Sequence, residues 1–187
     1  EVGMHAGQHF YSMDYVAGQT LAEMTRTGPL PVRQAARYVR AVADAVEHAH
    51  QHGVIHRDLK PGNVMIDGDD EPRVTDFGLA KQLDQQDSPT LSGQALGTPG
   101  FAAPEQLSPR LGAVDRRSDV YGLGALLYHL MTGRPPFLAG SLSDTVEQVM
   151  KADPASPRTL NQSVPRDLET ICLKCLAKLP ADRYPTA

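Results

Sequence analysis

The stretch His56-Arg57-Asp58-Leu59-Lys60-Pro61-Gly62-Asn63 brings a carboxylate, an ammonium and an amide together in one short segment. Its proline and glycine disfavour a helix, so we expect a loop here. Asp58 can accept a proton, Lys60 can neutralise a developing negative charge, and Asn63 can offer its side-chain oxygen to a hard cation. The segment is therefore a candidate catalytic loop.

A second carboxylate follows in Asp76-Phe77-Gly78, where the glycine permits a sharp turn. Residues 64–66 and 73–75 are predicted to form two short strands joined by a polar turn. The loop precedes one strand and Asp76 follows the other, which brings Asn63 and Asp76 towards a common point. Together the two segments contain the groups that phosphoryl transfer requires, although a turn-forming role for Asp76 and a plain surface charge for Lys60 remain alternatives.

The composition suits one globular domain of 187 residues, with 41% hydrophobic and 21% charged residues. A net charge of −4 does not indicate a basic surface that would bind nucleic acid or an anionic membrane. The longest apolar run, residues 120–131, is far shorter than the roughly 20 residues that span a bilayer. We therefore expect contact with neither nucleic acid nor membrane from this segment.

Helical periodicity predicts a long helix from Pro31 to Gly53, an apolar helix over residues 118–131 capped by Ser118, and further helices over 142–151 and 167–179. Residues 10–16 and 54–55 are predicted strands. Gly18 should end the first of these strands, and Thr20 should cap a short helix over residues 21–26. Residues 81–97 are polar and predict a mobile loop.

Two clusters invite other interpretations. Cys172 and Cys175 are spaced C-x-x-C, but they fall on a helical apolar stripe, which favours core packing over metal or redox chemistry. His48, His50 and His52 invite a metal site, yet no acidic or cysteine partner is near in sequence. Solvated or packed histidines are the favoured interpretation.

The chain resembles the protein kinases. The segments 56–63, Asp76-Phe77-Gly78 and Ala103-Pro104-Glu105 occur in the order and rough spacing of the protein-kinase signature set. The amino-acid sequence of residues 167–176 is similar to the sequences of bacterial serine/threonine kinases of the eukaryotic type. This resemblance implies an α+β, protein-kinase-like fold. It would have a mostly helical C-lobe, short strands around the catalytic loop and a remnant of the N-lobe sheet.

The resemblance also implies site residues. Asp58 would be the catalytic base, and Lys60 would steady the transferred phosphate in the manner of kinases that act on serine or threonine. Asn63 and Asp76 would hold Mg²⁺, with Mn²⁺ as a possible substitute, and the cofactor would be ATP. The adenine-binding residues would be the gatekeeper Met13, the hinge residues Asp14, Tyr15 and Val16, and Met65 beneath the ring.

Further positions match regulatory or structural residues of the family. Arg57 would pair with a phosphate on Ser88, Thr90 or Ser92, although loop serines and threonines are common and each is a weak candidate. Thr98 would contact the catalytic base and Lys60. The structural set is Phe77, which would set active or inactive states, Asp119, which would brace the loop, and the ion pair of Glu105 with Arg183. A simple surface pair is the alternative for that last contact.

The resemblance implies a partial kinase domain. Residues 1–16 would hold remnant N-lobe strands and the hinge, and residues 17–187 a C-lobe without its final helix. No G-x-G-x-x-G is present, so we expect this piece alone to be inactive. Its parent would phosphorylate serine or threonine on protein substrates in the cytoplasm, and it could be membrane-anchored. The alternatives are a non-catalytic kinase-like interaction module and a small-molecule phosphotransferase.

Overall fold

The computed structural model describes residues 2–5, 8–11, 15–77 and 99–187. The strands are β1 (Val2–His5), β2 (Gln8–Tyr11), β3 (Gly18–Thr20), β4 (Val64–Asp67) and β5 (Pro72–Val74). β1 pairs with β2, and β4 lies between β3 and β5 in a separate sheet. Every pairing is antiparallel. The predicted pair of strands after the candidate loop is therefore present as β4 and β5.

Helices make up most of the regular secondary structure in the described chain. They are α1 (Leu21–Met24), α2 (Val32–Gln51), α3 (Pro104–Leu107), α4 (Arg116–Thr132), α5 (Leu142–Lys151), α6 (Pro157–Leu160) and α7 (Arg166–Cys175). Short 3₁₀ turns lie at Pro61–Asn63, Pro99–Phe101, Pro109–Leu111 and Pro180–Asp182. Among the described helices, none has the length and apolar character needed to cross a bilayer.

Helix α4 is the axis of the core. It is buried on nearly all sides, as its almost continuous apolar sequence predicts. It packs against α2 and α7, and α2 presents Val42 and Val46 to this core with no exposed surface. Burying a side chain of this size contributes about 1.5–3 kcal/mol, so the helix layer is the main source of stability.

The two cysteines lie in this core. Both are unpaired and buried, and the Cys172 thiol donates a hydrogen bond to the Gly124 carbonyl at 3.4 Å. Burial raises the pKa of both thiols, that of Cys175 to about 11. Both sulfur atoms therefore stay protonated and pack as small apolar groups, as the helical stripe predicts.

Several predicted helix ends need correction, among them the end of α1, which lies at Met24 rather than at residue 26. Helix α4 begins before Ser118, because the Asp115 carboxylate caps it by accepting a hydrogen bond from the Arg117 amide at 2.8 Å. Ser118 instead lies in the first turn and donates to Glu105 Oε1 at 2.6 Å. Helix α7 ends at Cys175 rather than at residue 179. The cap of α1 is as predicted, since Thr20 Oγ1 accepts from the Glu23 amide at 3.1 Å.

Two strand predictions are wrong. Val54 and Ile55 form no strand, because the Val54 amide donates to the Ala49 carbonyl at 3.0 Å and so closes α2. Gly18 begins β3 instead of ending a strand, and it pairs with Asp67. A Cβ atom at residue 18 would lie 2.0 Å from the Ile66 carbonyl oxygen, so only glycine allows this close pairing.

Candidate active site

The candidate loop connects the end of α2 to β4 and is held from one side. Leu59 is only 3% exposed and packs against Gly122 of α4, where an added Cβ atom would lie 2.9 Å from the Leu59 Cβ atom. The side chains on either side of Leu59 are more open, with 49% of Asp58 and 26% of Lys60 exposed. The loop is thus fixed by an apolar anchor while its charged groups stay accessible.

The three polar groups of the loop form one cluster. Lys60 Nζ lies 2.6 Å from Asp58 Oδ2. Asn63 Nδ2 donates to the same Oδ2 atom at 3.1 Å and to the Asp58 carbonyl at 2.9 Å. Within the described part of the chain, no hydrogen bond is found to Asp58 Oδ1. The carboxylate is therefore held through one oxygen, and the other can accept a proton.

The strand pair holds the residue before Asp76 against Asn63. This residue, Thr75, donates its amide to the Asn63 carbonyl at 2.9 Å and its hydroxyl to the same oxygen at 3.3 Å. Asp76 itself has a φ of 58°, a left-handed conformation that costs a non-glycine residue about 1–2 kcal/mol. Strained residues of this kind cluster at functional sites, so the geometry supports a functional role.

Arg57 is a second left-handed residue, with a φ of 68°. Its amide donates to Asp119 Oδ1 at 2.7 Å, and its carbonyl accepts from Gln106 Nε2 at 2.6 Å. Both sides of the strained peptide are therefore held by helices that come later in the sequence, α4 and α3. The strain persists because the surrounding structure fixes it.

Asp119 holds the start of the loop from within the core. Its side chain is 1% exposed, and its Oδ2 atom accepts the His56 amide at 2.8 Å. The same Oδ2 atom lies 2.7 Å from His50 Nε2. His56 is fully buried, its Nε2 donates to the Thr75 carbonyl at 2.9 Å, and its ring lies 4.7 Å from that of Phe77. His56 thus joins the loop to the Asp76 segment.

Glu105 and Arg183 form a bidentate ion pair with distances of 2.7 and 2.8 Å. Neither side chain is exposed, so the alternative of a surface pair is wrong. Burial alone would raise the pKa of Glu105, but hydrogen bonds from Arg183 and Ser118 outweigh it and hold that pKa below its usual value. The pair is therefore charged and fixes α3 to the end of the chain.

The predicted adenine-binding residues are only partly described. Met65 is half-buried in β4 and pairs with Thr20. Val16 is half-buried, whereas Tyr15 is 92% exposed. The remaining predicted positions lie outside the described residues: Met13, Asp14, Gly78, residues 81–97 with Ser88, Thr90 and Ser92, and Thr98.

Sequence reasoning missed three residues of the site: His50, Gln106 and Thr75. His50 had a detectable signal, because it follows Val42 and Val46 at helical spacing on the buried stripe of α2. A polar group on such a stripe needs a partner, and Asp119 supplies it. Gln106 and Thr75 act through backbone contacts that have no sequence signal.

A family profile described as "Protein kinase domain" matches residues 4–187. The serine/threonine-protein kinase PknB of Mycobacterium leprae is 41% identical over 176 residues, covering 94% of this chain and 28% of the relative. PrkC of Bacillus subtilis is 38% identical, covering 100% of this chain and 28% of the relative. The DNA damage-responsive kinase RqkA of Deinococcus radiodurans is 42% identical, covering 96% and 27%. The chain spans little more than a quarter of these relatives.

The fold is also similar to that of a solved kinase structure. The crystal structure of residues 1–466 of Rad53 in complex with AMP-PNP superimposes with a TM-score of 0.79 at 22% identity, covering 98% of this chain and 46% of the Rad53 chain in that structure. The expected kinase fold, mostly helical with small antiparallel sheets, is thereby confirmed. Fold and sequence agree, and this chain belongs to the protein kinase family, close to the bacterial serine/threonine kinases.

Proposed function

We propose that this chain carries the catalytic centre of an ATP-dependent kinase that phosphorylates serine and threonine hydroxyls on proteins. The observation that carries the proposal is the cluster in which Lys60 and Asn63 hold one oxygen of the half-exposed Asp58 carboxylate. This arrangement fixes the carboxylate in direction and leaves it open to a substrate hydroxyl. General-base catalysis requires that combination of position and access.

Each group of the cluster has a role in the proposal. Asp58 receives the proton of the attacking hydroxyl, and its position is fixed before substrate arrives. The Lys60 ammonium, 2.6 Å from Asp58 Oδ2, lies where it can also balance negative charge on the transferred phosphoryl group. The resemblance to kinases that act on serine and threonine comes from this lysine, so the proposed acceptor is an aliphatic hydroxyl.

The donor atoms fit Mg²⁺ or Mn²⁺ and a nucleoside triphosphate. Asn63 uses its Nδ2 group on Asp58, which leaves Oδ1 as the atom of that amide able to ligate a cation. With the Asp76 carboxylate it makes a pair of hard oxygen donors, as Mg²⁺ prefers. Bound ATP and Mg²⁺ would supply the phosphoryl group and screen its charge. Met13, Asp14, Tyr15, Val16 and Met65 would hold the adenine.

Arg57 is proposed as the receiver of a regulatory phosphate. Its side chain is half-buried, and no ion pair to it is found among residues 15–77 and 99–187. A phosphate on Ser88, Thr90 or Ser92 would supply an anion that pairs with the guanidinium. Phe77, in ring contact with His56, would transmit the order of that loop to the catalytic segment, and Thr98 would contact Asp58 and Lys60.

The test is transfer of radiolabelled phosphate from ATP to a protein substrate by the full-length protein carrying this sequence. Asp58→Asn should lower the rate by roughly 10²–10⁴-fold, because it removes the base without changing shape. The matched control is Asp69→Asn in the exposed turn between β4 and β5, which should transfer phosphate normally. Equal incorporation by wild type and Asp58→Asn would overturn the role of Asp58 as the base, and no incorporation by either protein would favour the non-catalytic interaction module instead.

A further inference from the structure

A surface cleft of about 430 Å³ opens beside the candidate active site. It is lined by Lys60, Pro61 and Gly62 of the loop, by Ala22 of α1 with Thr25 and Arg26 after it, and by Phe101, His129 and Gly133. Lys60 is also the residue that lies 2.6 Å from Asp58 Oδ2. The cleft and the proposed catalytic carboxylate are therefore joined through one side chain.

The charge of this cleft has one sign. Among the described residues that line it are two cations, Arg26 and Lys60, and no carboxylate. The Lys60 charge is balanced by Asp58, but Arg26 is exposed, and no ion pair to it is found in the described ranges. Glu23, one turn earlier, is coupled to Arg26 electrostatically. Its Oε2 atom instead accepts from the amide and hydroxyl of Thr20, at 2.8 and 3.0 Å.

The remaining lining is apolar or neutral. Phe101 is 9% exposed, and its ring lies 5.6 Å from that of His129. The Thr25 hydroxyl donates to the Leu21 carbonyl at 2.7 Å, so it accepts from His129 Nε2 at 3.0 Å. Burial lowers the pKa of His129, which keeps that ring neutral at pH 7. The cleft thus offers an apolar floor for a side-chain stem and a guanidinium for its head.

We infer that this cleft is a specificity subsite for an anionic side chain of the protein substrate, with Arg26 as the specificity-determining residue. The inference rests on the proposed function, since it names which serines and threonines that activity would prefer. The anionic group is an aspartate, a glutamate or a phosphorylated residue. Because Lys60 reaches both Asp58 and the cleft, this group lies a few positions from the acceptor, given about 3.3 Å per extended residue.

The first experiment measures kcat/KM for serine peptides carrying glutamate, glutamine, lysine or phosphoserine at each flanking position in turn. At one position glutamate should exceed lysine by about fivefold, the size expected of one partly exposed ion pair. Phosphoserine at that position should exceed glutamate if the natural anion is a phosphate, because guanidinium binds phosphate bidentately. Equal rates for all four residues at every position would overturn the subsite.

Charge reversal at Arg26 tests the assignment to a residue. Arg26→Glu should invert the preference, so that lysine peptides are phosphorylated faster than glutamate peptides. The matched control is Arg40→Glu, which makes the same change of net charge at an exposed position of α2 outside the cleft. If Arg40→Glu inverts the preference equally, long-range charge rather than the cleft is responsible, and the inference is wrong.

Gly62, another residue that lines the cleft, allows a gain-of-charge test. A Cβ atom at residue 62 would meet no atom within 4 Å, so a side chain fits there. Gly62→Glu would place a carboxylate in the cleft and should weaken binding of glutamate peptides while favouring lysine peptides. Gly62→Gln has the same size without the charge and should retain the wild-type preference. Identical preferences in the two variants would count against the subsite.

A binding measurement separates this inference from the proposed function. Fluorescence anisotropy with peptides whose acceptor serine is replaced by alanine reports the cleft without any phosphate transfer. A glutamate preference in binding that Arg26→Glu removes would support the subsite even if no peptide were phosphorylated, a result that would overturn only the proposed catalysis. Transfer to all peptides with no charge preference in rate or binding would overturn only the subsite.

Discussion

Lys60 and Asp58 form an ion pair at 2.6 Å whose carboxylate side chain is 49% exposed, whereas the Arg183 and Glu105 pair at 2.7 Å is completely buried. Both pairs join a carboxylate to a basic side chain at nearly the same distance. The exposed pair can contribute at most about 1 kcal/mol to stability, but a substrate can reach it. The buried pair is closed to substrates. Loss of either partner would leave the other charged side chain buried, with neither a counter-charge nor water around it.

The difference shows how one chain assigns its carboxylates to different tasks. Glu105 is matched by Arg183 and Ser118, and it stays charged despite burial. His129 is a third case, because it is largely buried and, within the described part of the chain, has no carboxylate partner. Burial lowers its pKa, so it stays neutral. Exposure, pairing and burial together decide whether a titratable group can react with a substrate, stabilises the fold through an ion pair, or stays uncharged.

The largest expected effect comes from breaking the buried pair. Arg183→Met should lower the free energy of unfolding by about 3–5 kcal/mol, because it leaves Glu105 charged and buried without its partner. It also removes hydrogen bonds from the guanidinium to the carbonyls of Arg117, Ala177 and Lys178. Thermal unfolding should show a fall of the midpoint on the order of 10 °C.

The matched control is Arg117→Met. Arg117 pairs with Asp115 at 2.6 Å, but the two side chains are 36% and 38% exposed. Its loss should cost no more than about 1 kcal/mol. Similar losses in the two variants would mean that burial does not distinguish the pairs.

A smaller effect is expected where the core meets the exposed loop. Gly122→Ala would place a Cβ atom 2.9 Å from the Leu59 Cβ atom, next to Asp58. Overpacking of this kind costs about 1–3 kcal/mol, and it should lower phosphate transfer by more than the loss of folded protein accounts for. The measurement is activity per folded molecule, with unfolding followed by circular dichroism.

Gly140→Ala is the control for this change, since a Cβ atom there meets nothing within 4 Å. It should alter neither stability nor activity appreciably. If Gly122→Ala transfers phosphate at the wild-type rate, Leu59 does not position Asp58 through α4.

The smallest expected effect concerns the buried, uncharged ring of His129. The pKa of His129 is lowered from 6.5 by burial, so the unfolded chain takes up a proton on this ring at a higher pH than the folded chain. Stability from this residue is therefore complete above 6.5 and falls as the pH drops towards the folded-state value. Urea unfolding at pH 7.5 and 5.5 should show this loss in wild type and a smaller one in His129→Gln. Parallel losses would show that His129 is not buried as a neutral ring.

The elements that could be predicted are those with strong local signals. Helix α5 was predicted over residues 142–151 and has those bounds, because its apolar period and its Ser141 cap lie within a few residues. Thr20 was likewise predicted as the cap of α1. The sequence also predicts a strand at Val54 and Ile55, and this prediction is wrong because strand formation needs a partner that sequence does not reveal.

The sequence alone determined the chemistry of the loop: Asp58, Lys60 and Asn63 are close in the chain, and their side chains define what they can do. Only the tertiary structure decided which charges are buried, which are paired and which face a substrate. Asp119 meets His56 across 63 positions, Arg183 meets Glu105 across 78, and Arg26 lines a cleft with Lys60. Such contacts depend on how the helices pack and exclude water, and no local pattern in the sequence records either.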